Sequence, residues 1–368
     1  MKKPVLNEPA PDASGEDSPA ARRSLAPQIG LLAAICVLAV CGFAAGYAVR
    51  LDYGPDEPYH MEYVHVLAFQ RQLPLSSDTL MVQHPPPYYA LMSLPWRLMS
   101  GGQRPLDIAP GPDALAGMTE ASRAARHVLR GFNTLIACLT LLVLARLVAV
   151  VGVPPSWRPA FVCVVAAWPM FQYVSGVVNN ENAAILFSSV LCLALVNRVQ
   201  TGHCSLSQAV GIGLLVGGGL WIKQTTMFAA PLALWVLWTV DVPAQRVPRI
   251  GLFLASALAV GIWWPLHNHQ LTGEWFPHYS AVEHQAEVHA QVLAHPLELL
   301  SWTRLILETS FLPDWSWMLL PRSLSTLMAS AVAITLGACF WYGWKDKTDV
   351  RGRQLRGLSL AALLLLLT

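Results

Sequence analysis

The chain has 368 residues, 54% of them apolar and 12% charged, whereas soluble domains carry about 45–50% apolar and about 25% charged residues. That composition excludes an ordinary water-soluble domain, because only a bilayer hides so much apolar surface. A net charge of +2 is too small for a nucleic-acid partner.

Residues 1–28 are rich in Pro, Ala, Ser, Asp and Glu and hold no apolar block, so they read as a disordered cytoplasmic tail. Arg22 and Arg23 precede the first apolar run, Ile29–Val49. A bilayer crossing takes about 20 apolar residues at ~1.5 Å each. This run exceeds the ~7–15 residues of a cleaved signal and follows a long tail, so an uncleaved first span is expected. Further spans are expected near 128–148, 160–178, 182–197, 206–222, 225–240, 250–266 and 323–344, and another from Leu358 to Thr368. The expected fold is therefore all-α, a polytopic transmembrane bundle of about nine spans covering 29–368. With the N-terminus inside, Arg146, Arg158, Arg198, Arg246 and Arg249 fall in short cytoplasmic loops, as the positive-inside rule asks. Arg123, Arg126 and Arg130 run against it, within a long loop where the rule is weak.

Two long segments then lie outside, 50–127 and 267–322, and all histidines except His203 fall in them. No cysteine does, so these loops carry no disulfide. Loops of this length are functional more often than connective. The first opens with Pro55-Asp56-Glu57-Pro58-Tyr59-His60. Pro58 suits a first helical turn, which Asp56 or Glu57 can cap. The alternative use is chemical: two carboxylates and His60 meet at a water–lipid boundary, where a low dielectric raises a carboxyl pKa and makes a usable base. Tyr59–Gln72 reads as an amphipathic interfacial helix, with Met61, Val64, Leu67 and Ala68 opposite Glu62 and Arg71. His84-Pro85-Pro86-Pro87-Tyr88-Tyr89 follows, its prolines enforcing an extended entry to an apolar helix.

Lys223 interrupts an apolar stretch from Cys204 to Val240. It either snorkels to the interface or faces an anionic partner at the tip of a helix pair. The Gly217-Gly218-Gly219 run before it allows close helix approach or a break. Asn179-Asn180-Glu181-Asn182 reads as a tight outer turn with one acid in it. The second outer segment opens at His267-Asn268. Within it Glu283 and Glu287 stand i, i+4 on an expected helix. A divalent cation is conceivable there, but no known ligand spacing requires one, and metal dependence stays open.

In this order, the Pro55–His60 and His84–Tyr89 motifs, Asn180-Glu181, Lys223, His267-Asn268…Gly273 and Ser310-Phe311…Trp317 resemble the GT-C superfamily of membrane glycosyltransferases. The likeness is to the protein O-mannosyltransferase and lipid A aminoarabinose transferase branch, and to related bacterial multispan proteins of the inner membrane. It runs from the first span to about residue 320. The related bacterial group usually shows Arg-Asn where this chain has His267-Asn268. The resemblance implies a polyprenyl-phosphate-linked sugar donor and a lipid, glycan or protein acceptor outside the membrane. It implies a first-loop acid as base, the position of Asp56 with Glu57 beside it. It places Lys223 toward the donor phosphate, with His84, His267 and Asn268 as further donor-binding candidates. His60, Tyr88, Asn180 and Glu181 would support the pocket. A single displacement would invert the anomeric centre. A transporter or lipid-binding protein of the envelope is the alternative, since intramembrane charge also marks substrate pathways.

Overall fold

The computed structural model describes residues 26–49, 51, 56–75, 79, 81–101, 119–240, 243–273 and 275, and all regular structure among them is helical. The first span is α1, Ala26–Ala48. Next come α2, Glu57–His65, which runs on into a π turn at Val66–Gln70, and α3, Pro87–Met99. The longest helix is α4, Glu120–Val150, N-capped by Thr119 through Ser122 N. It begins eight residues before the expected 128, so Arg126 and Arg130 lie on the helix, 2% and 1% exposed.

The span expected at 160–178 is two short helices, α5 (Arg158–Ala166) and α6 (Pro169–Ser175). Pro169 offers no N–H to continue the helix, and Trp168 before it is extended at ψ 121. Next come α7, Glu181–Thr201, and α8, Leu206–Gly219, the latter opened by a reciprocal Ser205–Gln208 capping box. The chain leaves α8 through an extended Lys223, makes a 3-10 turn at Gln224–Phe228 and enters α9, Ala229–Val240. The expected 250–266 span is a bent pair, α10 (Pro243–Gly261) and α11 (Trp263–Thr272), at 45°. His267 and Asn268, where the second long segment is expected to begin, lie within α11.

Three described helices are long and apolar enough to cross a membrane, Gln28–Ala48, Glu120–Val150 and Glu181–Thr201, with a fourth if the bent pair counts as one. Leu206–Gly219 and Gln224–Val240 are apolar but shorter. The expected spans at 323–344 and from Leu358, the tail 1–25 and the Glu283/Glu287 segment lie outside the described residues.

Two apolar cores organise the chain. The larger joins α1, α4, α5, α7, α8, α9 and α10 through Leu38, Leu141, Leu191, Leu195, Ala233 and Phe253. Glycine brings α8 and α10 together: a Cβ on Gly213 would stand 2.4 Å from Phe253 O, and one on Gly217 2.4 Å from Ala257 O. The smaller core holds Met61, Tyr63, Val64, Tyr89, Met92, Trp96 and Leu129, where α2 and α3 pack on the first turns of α4. Here one expectation is corrected. Glu62 is buried along with Met61 and Val64, so α2 does not turn Glu62 to water, while Arg71 beyond the π turn stays exposed.

Helix directions sort the charges. The C-terminal end of α1, the N-terminal ends of α4 and α7, and the C-terminal end of α8 meet at one end of the bundle. Arg146, Arg158, Arg198, Arg246 and Arg249 belong to the opposite ends of their helices.

Candidate functional site

Asp56 occupies the N-cap position of α2 in the left-handed region, φ 57°. Aspartate tolerates that conformation better than most residues. Its side chain makes no cap bond, so capping does not consume the carboxylate, which is exposed.

Glu57, one residue on, is 0% exposed. Arg130 grips it with both ends of its guanidinium fork: Nε donates to Oε1 at 2.8 Å and Nη2 to Oε2. Val178 N also donates to Oε1 at 3.0 Å. The remaining Arg130 nitrogen, Nη1, donates to Gly46 O at 2.7 Å and Val49 O at 2.6 Å, at the end of α1. Nothing in the sequence pattern around Arg130 marked it for this role, beyond its standing on the wrong side for the positive-inside rule.

His60 is buried and His84 half-buried. His60 Nδ1 pairs with Tyr89 OH at 2.8 Å, and the two imidazoles lie 6.0 Å apart. Burial, then His84 and Lys223, hold His60 well below the usual histidine range. Burial, then Lys223, push His84 down to about 3. Both rings are therefore neutral at pH 7. Tyr89, whose pKa burial drives far up, keeps its proton. Tyr88 turns to α4, donating to Asn133 Oδ1 at 3.0 Å, and Asn133 in turn holds the carbonyls of Val177 and Asn179.

The turn before α7 completes the site. Asn179 Oδ1 accepts from Glu181 N at 3.0 Å. Asn180 Nδ2 donates to Ile222 O at 3.1 Å and stands 3.4 Å from His84 Nδ1. Glu181 forms an ion pair with Lys223 that is partly open to solvent. Gln83, unremarked in the sequence, is the hub of a further link: its carbonyl accepts from Gln224 Nε2 at 2.8 Å and Trp264 Nε1 at 3.0 Å. His267 joins through this link, its ring 5.1 Å from Trp264 and 5.5 Å from Trp263. Asn268 is buried beside it on α11.

Asp56 belongs to the same charge system. Partial loss of hydration raises its pKa, Glu181 raises it further and Lys223 opposes them. Four segments far apart in sequence thus present an exposed carboxylate, a carboxylate–ammonium pair, neutral imidazoles and amides at one end of the bundle. Such a set suits proton abstraction beside an anionic group. Among the described residues no cluster of three His, Cys, Asp or Glu side chains could hold a metal ion. No family model, curated protein or solved structure matches the chain.

Proposed function

We propose that the protein is a multispan membrane glycosyltransferase of GT-C-like architecture, moving a sugar from a polyprenyl-phosphate donor to an acceptor outside the inner membrane of a bacterium. The observation that carries this reading is that Glu57, next to Asp56, is bonded by Val178 N, three residues before the Glu181 that pairs with Lys223, so the exposed carboxylate and the ion pair belong to one end of the bundle. Asp56 takes the proton of the acceptor hydroxyl or amine as it attacks the anomeric carbon. The bond from that carbon to the phosphate oxygen breaks, and the prenyl phosphate leaves with the electron pair. Lys223 spends one N–H on Glu181 and has two more to offer the phosphate. Glu57, with both oxygens bound by Arg130, holds structure rather than abstracting protons. The arginines at the opposite helix ends favour the cytoplasm there and the exterior at Asp56.

The experiment supplies membranes with a labelled polyprenyl-phosphate sugar pool and compares the natural chain with Asp56→Asn. Transfer by both at equal rate sinks the proposal. One observation favours a transporter instead: the bend between α10 and α11 resembles the interrupted helices of carriers. Uptake that survives Asp56→Asn, with no transfer in either chain, would select that reading.

A further inference from the structure

We infer that the Glu57–Arg130 pair is a positioning clamp that sets the Asp56 side chain against the Glu181–Lys223 pair. The inference rests on the reading of Asp56 as the base. Asp56 is bounded on one side by residues 52–55 and on the other by Glu57. Its backbone sits in a region most residues avoid, at φ 57°. Its side chain makes no cap bond, whereas Glu57 beside it is held from outside α2.

Arg130 supplies the hold. It bonds the end of α1 at Gly46 and Val49, the start of α2 at Glu57 and, through the shared Glu57 oxygen, Val178. Val178 lies three residues before Glu181. One guanidinium therefore ties the segment that carries Asp56 to the turn that carries its acidic neighbour. The grip is bidentate and shielded from water, with side-chain exposures of 2% and 0%, so solvent does not weaken it. Lysine at 130 keeps the charge but loses the fork, and with it the bonds to both Glu57 oxygens and both α1 carbonyls.

The clamp is read by a thiol rather than by turnover. In a chain whose seven cysteines are replaced, Asp56→Cys is alkylated with a neutral maleimide across a pH series. Lys223→Met is expected to raise the midpoint of alkylation by about one pH unit while the clamp is intact. The same change is expected to leave the midpoint unmoved once Arg130→Lys, or Glu57→Gln together with Arg130→Gln, has loosened it. The paired neutral variant leaves no buried charge unmatched, so a folded protein is available even where a single neutralisation aggregates. An equal displacement of the midpoint in the tight and loosened chains overturns the clamp. Sugar transfer by Asp56→Asn is scored separately: if it persists, the base assignment falls, while the thiol data still decide whether Arg130 positions residue 56.

Discussion

The two cores of this protein are built by different forces. Between α8 and α10 the contact is backbone on backbone, with Gly213 and Gly217 giving Phe253 and Ala257 their room. At the other core, where α2 and α3 cover α4, the same chain buries Glu57, Arg126, Arg130, His60 and Asn133 within a shell of tyrosine, methionine and tryptophan. Small residues suffice where helices need only approach each other. A buried charge needs a matched partner with its remaining atoms bonded, and Glu57 and Arg130 meet that demand with each other and with backbone from two further segments. The apolar bundle is thus the frame, and the polar end is where buried charges are matched.

Substitutions separate the two. Asp56→Asn should lower sugar transfer by about 10²–10⁴-fold, the usual worth of a general base, with the detergent-solubilised chain melting where the natural one does. Arg130→Met should instead cost roughly 3–5 kcal/mol of stability, because it strands the Glu57 charge in the interior. Adding Glu57→Gln should recover much of that loss, which thermal melts of the three chains would reveal. In the bundle, Gly217→Val should cost about 1–3 kcal/mol by forcing α8 from Ala257. It should reduce transfer only in proportion to the folded fraction; a larger loss would mean that the frame and the site are coupled.

Two pH experiments sharpen the contrast. His60 and His84 have folded pKa values below their ordinary value of 6.5, so stability is full above that value. It declines as pH falls toward about 3, where the unfolded chain takes up protons that the fold refuses. His84→Gln should flatten that decline between pH 6.5 and 4, measured as melting temperature. As the proposed base, Asp56 would work only when ionised, so transfer should fail on the acid side. Lys223→Met removes the charge that lowers its pKa and should move the acid limb of kcat/KM to higher pH. Glu181→Gln should move it to lower pH, and limbs that move together would sink the assignment of that limb to Asp56.

Polar residues that stand out against the apolar background are legible in the sequence, and the fold brings Lys223 to Glu181, Asn180 to His84, and His84 near His60. Period and propensity did less well. They read Tyr59–Gln72 as an interfacial helix with Glu62 in water, yet Glu62 is buried, because a helical pattern cannot report what tertiary packing brings over it. They ran 160–178 as one span because apolar content is blind to the break at Trp168–Pro169. Glu57 looked like a twin of Asp56, and Arg130, 73 residues away, carried no local sign of its partner.

Composition alone determined that the chain forms helices long and apolar enough to cross a membrane, and alternating blocks of hydrophobic and polar residues set where most helices form. Which of two adjacent carboxylates stays exposed and which is locked away was decided only by tertiary packing. The reason is geometric: an arginine on α4 reaches the second and not the first, so neighbours in sequence end in opposite electrostatic surroundings.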